Sequence, residues 1–152
     1  MVIRVIVFLV VNFGALAIGG MFTSQGVPSD WYISLNKAPW TPAGWVFGAA
    51  WSSIMICFSF YMAQLWSIVE SKNLLLLFFT LQLILNIAWN PVFFQLHHVG
   101  LGLVIISTLT ILVGFLIIYF HDLLKIKSAL LFPYFSWLLI ATSLNVYIFI
   151  NN

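Results

Sequence analysis

The side chains here that could hold or transform a small molecule are aromatic rings and amides, and three stretches place them at helical spacing. Gln82, Asn86 and Asn90 are spaced four apart and so share one helix face, with Trp89 and Phe93 flanking it. Tyr134, Trp137, Ala141, Leu144 and Asn145 form a second stripe, and Trp51, Met55 and Phe58 a third. Three such faces turned inward would enclose an apolar cavity with a few hydrogen-bonding points, which is how small-molecule sites are usually built. A fourth cluster, Lys37-Ala38-Pro39-Trp40-Thr41-Pro42-Ala43-Gly44-Trp45-Val46-Phe47, puts rigid rings and proline-fixed turns at the start of an apolar helix. It would sit at the mouth of that cavity, where a flat apolar ligand could enter.

Other chemistry is missing. No Asp, Glu, Lys, Arg or His lies deep in an apolar run. Proton relays and ion pathways use such residues, so the sequence argues against a pump or ion-coupled transporter. It offers no intramembrane general acid or base and no metal-ligand cluster. His97 and His98 fall in a turn at the membrane surface and are read as interfacial residues rather than haem or metal ligands. The stripes also have a structural reading. Amides in membrane helices act as interhelical glue worth about 0.6–2 kcal/mol each, and Trp near a span end, such as Trp66, often only anchors the interface. Trp51 and Trp137 lie too far into their helices for that explanation.

The elements that position these residues follow from composition. Of 152 residues, 64% are hydrophobic and 5% are charged, against roughly 25% charged in a soluble domain. Segments such as Leu74–Phe79 and Leu101–Ile106 do not alternate as a barrel strand would. The expected fold is all-α, one domain over residues 1–152, an integral membrane bundle of five transmembrane helices. The spans are Ile3–Phe22, Gly44–Ile68, Leu74–Leu96, Val99–Phe120 and Ser128–Ile150, each of the length a bilayer requires. The first lacks a cleavage site and is read as retained. Three short links, Glu70–Asn73, His97–Gly100 and His121–Lys127, predict that sequential helices are antiparallel neighbours. The long loop Thr23–Ala43 between helices 1 and 2 could fold over one end as a lid.

Arg4, Lys72, Lys125 and Lys127 share one side, which places the N-terminus in the cytoplasm and the long loop outside. The basic residues never cluster in sequence, so no nucleic-acid partner is indicated. The lone Cys57 says nothing of redox compartment. Small residues four apart, Ala15 and Gly19 or Gly44 and Gly48, permit close helix approach either within one bundle or in a homodimer.

Taken together, Trp31-Tyr32, Pro39-Trp40-Thr41-Pro42 with Gly44, Trp45-Val46-Phe47-Gly48, Trp51, Leu85-Asn86-x-x-Trp89-x-Pro91-x-Phe93-Phe94, Pro133-Tyr134-x-x-Trp137 and Ala141-Thr142-x-Leu144-Asn145 resemble the TspO/MBR family, in order and over nearly the whole chain. That family includes the translocator protein, or peripheral-type benzodiazepine receptor, and the bacterial tryptophan-rich sensory proteins. The resemblance implies a five-helix bundle, often dimeric, in a bacterial inner membrane, with no required cofactor and with protoporphyrin IX or haem as ligand. It implies a sensor or carrier whose pocket holds Tyr32, Trp40, Pro42, Trp51, Asn86, Trp89, Trp137, Ala141, Leu144 and Asn145. Some relatives degrade protoporphyrin in light, which would make Trp51 and Trp137 catalytic here. The alternatives are therefore a porphyrin-degrading enzyme, or a structural modulator of other membrane proteins.

The physical fit is sound. Indoles can stack on a flat tetrapyrrole, amides can bind its propionates or ring edges, and Trp absorbs near-ultraviolet light and oxidises readily. Several positions depart from the family pattern: Ala43 and Ala49 stand where Pro is common, Met55 replaces a frequent aromatic, Asn90 a frequent Ser, and Ile105 a common acid. The sterol pattern of the fifth helix needs a basic residue after Tyr147, which is followed only by Ile148-Phe149-Ile150-Asn151-Asn152. That argues against sterol recognition by that motif.

Overall fold

The computed structural model describes residues 1–152 and is all helical. The elements are α1 (Val2–Gly26), a short α2 (Asp30–Ser34), α3 (Gly44–Ile68), α4 (Lys72–Asn90) running into a π-helical turn (Pro91–Gln95), α5 (Val99–Tyr119), a short α6 (His121–Leu124), a 3-10 stretch (Lys125–Leu131) and α7 (Phe132–Asn151). Five of these units are long and apolar enough to cross a membrane. Their outward residues include Ile6, Val10, Leu77, Ile84, Ile111 and Ile118, all exposed as lipid-facing side chains should be.

The sequence dictates where the helices stop and start. Ser29 caps α2 by accepting from the Tyr32 N–H at 3.2 Å. Pro42 and the extended Ala43 precede α3, whose first turn has no side-chain cap. At its other end, Lys72 Nζ donates to the carbonyls of Trp66 and Val69, groups that the last helical turn leaves unpaired. Ser71 caps α4 from Leu74 N–H. Pro91 lacks an N–H and cannot continue an α-helical ladder. The chain answers with the π turn, and Leu96 N–H bonds back to Pro91 O at 2.9 Å. His97 then turns the chain at φ 56°. Pro133 sits in the first turn of α7, where its missing N–H costs nothing.

Three expectations need correction. The loop begins at Val27 and not at Thr23, because α1 runs on to Gly26. Thr23 Oγ1 is anchored on Asn90 Oδ1 at 2.7 Å and supports the extra turn. The fifth span, His121–Asn151, contains the expected Ser128–Ile150 but is not one continuous α-helix: Ser128 lies in a 3-10 stretch and α7 begins at Phe132. Finally, α3 and α4 are joined by a short link but are not adjacent in the ring, and they touch mainly through core side chains such as Phe58 and Phe79. The helices close a ring in the order α1, α3, α7, α5, α4, with α1 between α3 and α4. Phe8 of α1 is the wedge, edge-on to Trp66 of α3 at 6.2 Å and to Phe79 of α4 at 5.1 Å.

Inside the ring the two ends differ. Towards the end bearing Arg4 and Lys72, Phe58 packs on Tyr61, Phe79 and Tyr134, and Tyr61 Oη donates to Leu116 O at 3.0 Å. Asn12, fully buried, donates to Ser59 Oγ at 2.8 Å and joins α1 to α3. The other end is covered by the loop. Tyr32 lies against Phe94 at 5.4 Å, and Trp31 stacks on His97 at 4.1 Å.

Gly26 lets this lid seat. A Cβ there would overlap the Phe94 ring, and Phe94 is buried beneath Tyr32. Gly26→Ala should therefore cost about 1–3 kcal/mol by overpacking and loosen the loop. The expected readout is a lower melting temperature together with faster tryptic cleavage at Lys37. Unchanged cleavage would show that Phe94 shifts without disturbing the lid.

Candidate ligand-binding site

The ring encloses a cavity between α3, α4, α5 and α7 on the loop-facing side of the Phe58 packing. Phe47 and Trp51 come from α3, Asn86 and Trp89 from α4, and Ile106 and Leu109 from α5, while Trp137, Leu138 and Ala141 come from α7. The helix spacing explains the set. Phe47 and Trp51 are one turn apart, as are Trp137 and Ala141, so each pair shows one face to the interior. Phe47 meets Trp137 edge-on at 5.3 Å, and Trp51 meets Tyr134 edge-on at 5.9 Å. These ring contacts bridge α3 and α7, the thinnest seam of the ring.

Polar groups are few and mostly committed. The buried Tyr134 Oη accepts from Gln82 Nε2 at 2.7 Å and from Asn86 Nδ2 at 3.3 Å. Trp89 Nε1 donates to Asn145 Oδ1 at 3.0 Å, and Asn145 Nδ2 donates to Val99 O at 3.2 Å. Asn145 therefore orients Trp89 and ties α7 to the start of α5. Four buried side-chain atoms have no partner, and two of them, Trp137 Nε1 and Gln82 Oε1, belong to α7 and α4. An unpaired buried donor beside an acceptor-poor cavity is costly unless something fills it.

Of the ten residues singled out from sequence, Trp51, Asn86, Trp89, Trp137 and Ala141 line the cavity. Asn145 is buried behind Trp89, and Leu144 is buried on α7 without lining the cavity. Tyr32 lies in the lid on Phe93 and Phe94, with Lys37 Nζ 4.5 Å from its ring centre. Burial there lifts its phenol above the ordinary tyrosine range. Trp40 is 54% exposed. Its Nε1 donates to Ser143 Oγ at 3.2 Å and its ring meets Tyr147 edge-on, so it straps the loop to the outside of α7. Pro42 is half-buried, two residues before α3. Asn90, which shares spacing with Asn86, turns instead to α1 and bonds Thr23. The Trp- and Pro-rich cluster at the start of α3 supplies Phe47, as its place at the cavity mouth suggested, whereas Ile106, Leu109 and Leu138 were unmarked. The only signal for these three was apolar periodicity, which every span has.

The cavity volume is about 50 Å³. A water needs about 10–15 Å³ of such volume, so the space suits about three to five waters, whereas small-molecule pockets run roughly 300–1,000 Å³. A large flat ligand would have to part the Phe47–Trp137 and Trp51–Tyr134 contacts. The lid above them is held mainly by exposed or half-buried ties, including Trp40 to Ser143 and a paired bond between Asn36 and Asn152.

Comparison with known proteins places this geometry. Residues 5–150 match the TspO/MBR family. The chain is 36% identical over 136 residues to the tryptophan-rich protein TspO of Archaeoglobus fulgidus, covering 88% of this chain and 87% of that one. It is 30% identical over 138 residues to protein CrtK of Rhodobacter capsulatus, covering 89% and 86%. It is 29% identical over 139 residues to the human translocator protein, covering 89% and 82%.

Proposed function

We propose that this chain, which belongs to the TspO/MBR family and is an integral membrane protein, is a sensor or carrier that binds a tetrapyrrole such as protoporphyrin IX or haem between α3, α4 and α7. The observation that carries this reading is the cavity itself, lined by three tryptophans from three helices, one of which, Trp137, has a buried N–H without a partner. Two of them, Trp51 and Trp137, approach from opposite sides of the α3–α7 seam. They could take the two faces of a planar ring once the seam opens, with Asn86 released from Tyr134 to meet a propionate. The family name supports the general role, as do relatives named tryptophan-rich sensory protein and translocator protein. The Lys and Arg distribution supports a cytoplasmic N-terminus. Ala15 and Gly19 are buried, with Gly19 against Asn90 of the same bundle, so of the small-residue pairs only the open Gly44 and Gly48 support a homodimer.

The deciding experiment mixes purified protein with protoporphyrin IX in the dark and in light, following the Soret band and Trp fluorescence. Binding should shift the Soret band and quench the tryptophans in the dark. Loss of porphyrin in light, faster than in empty detergent, would make the protein a degrading enzyme with Trp51 and Trp137 as its reactive rings. A Soret band and emission identical with and without protein would end the tetrapyrrole reading.

A further inference from the structure

We propose that the cation-rich end of the bundle carries a site for the phosphate headgroup of an anionic membrane phospholipid. The site is a groove of about 420 Å³ between the C-terminal end of α3 and the α6 link, far from the tryptophan cavity. Gln64 and Ser67 line it from α3, Lys125 and Lys127 from the link, and Ile68 and Ile126 add an apolar wall. At its edge Arg4 Nη1 donates to Ser67 Oγ at 2.6 Å, which holds a guanidinium beside the groove.

Three features point to a phospholipid. The lysine ammoniums are free of carboxylates and carbonyls, in contrast to Lys72 on the same end of the bundle, whose Nζ is spent on the carbonyls of Trp66 and Val69. The nearest acid in sequence, Asp122 on α6, is exposed and forms no ion pair. The link is also bent to present both lysines. Lys125 adopts φ 50°, a conformation uncommon for a residue with a side chain, and Lys125 and Lys127 reach one groove with Ile126 between them. Ile126 is 88% exposed and Ile68 is 46% exposed. Apolar side chains projecting at a membrane face beside paired cations match a lipid, with its acyl chains against the isoleucines and its phosphate against the lysines. A soluble phosphate would gain nothing from the isoleucines.

The test is native mass spectrometry of the full chain in mild detergent with equal phosphatidylglycerol and phosphatidylcholine. Wild type should retain phosphatidylglycerol at least about tenfold better. Each groove lysine should contribute about fivefold, so Lys125→Gln with Lys127→Gln should remove most of the preference. Lys72→Gln should leave it within about twofold. An equal loss in Lys72→Gln would reduce the effect to general surface charge and overturn the site. So would a preference that survives the double substitution. Displacement of the lipid by millimolar glycerol 3-phosphate would move the groove to soluble anions and overturn the lipid assignment.

Discussion

A protein carrying both Trp51→Ala and Trp137→Ala should bind protoporphyrin IX at least about fivefold more weakly than wild type. Each well-formed aromatic stack contributes about 0.5–1.5 kcal/mol beyond burial, and two of them correspond to roughly 5- to 150-fold in affinity. An opposing effect must be weighed. Removing two indoles from a cavity of about 50 Å³ enlarges it and lowers the cost of opening it. The stacking loss should win, because the porphyrin would lose its aromatic partner on each face, and the rings that remain, Phe47 and Trp89, are not the proposed stacking partners. Phe47→Ala separates the two effects. Phe47 closes the seam against Trp137 but is not one of the proposed stacking rings, so its loss should leave affinity unchanged or raise it and speed association. Absorbance titration of the three variants gives the comparison. Wild-type affinity in a folded double variant would place the ligand elsewhere. If wild type consumes porphyrin in light, the double variant should not.

Much of this arrangement could be read in the chain, because hydropathy and helical spacing are properties of the sequence alone. Five spans, the inward aromatic stripes and the lid-length loop all follow from residue type and period. What could not be read depends on which face meets which. Gln82, Asn86 and Asn90 have one spacing but three fates: Gln82 is buried on Tyr134, Asn86 reaches the cavity, and Asn90 leaves it for Thr23 of α1. Each step of four residues turns the face by about 40°, so Asn90 lies about 80° round from Gln82 and meets α1 instead. Trp40 and Trp51 are equally aromatic, yet one lies outside α7 and the other inside the ring. The ring order was also hidden, since a short link limits distance but not which third helix intervenes. Here Phe8 decides it, and nothing in its local sequence marks it as a wedge.

The largest stability effect is expected at Tyr134. Its hydroxyl accepts from two amides, Gln82 fully buried and Asn86 half-buried. Tyr134→Phe keeps the ring against Trp51 and Phe58 but strands both donors. Gln82 suffers more, because its Oε1 already lacks a partner. Each stranded buried donor costs about 1–3 kcal/mol, although hydrogen bonds in membrane proteins often measure near the low end. A total of about 2–3 kcal/mol is expected, read as a lower unfolding midpoint in detergent. The informative comparison is the pair Tyr134→Phe with Gln82→Leu. Removing both partners leaves no stranded amide at Gln82, so the double variant should recover at least half of the loss despite having fewer polar contacts. If it is less stable than Tyr134→Phe alone, Gln82 holds the bundle through packing, and the hydroxyl network is not what fixes α4 against α7.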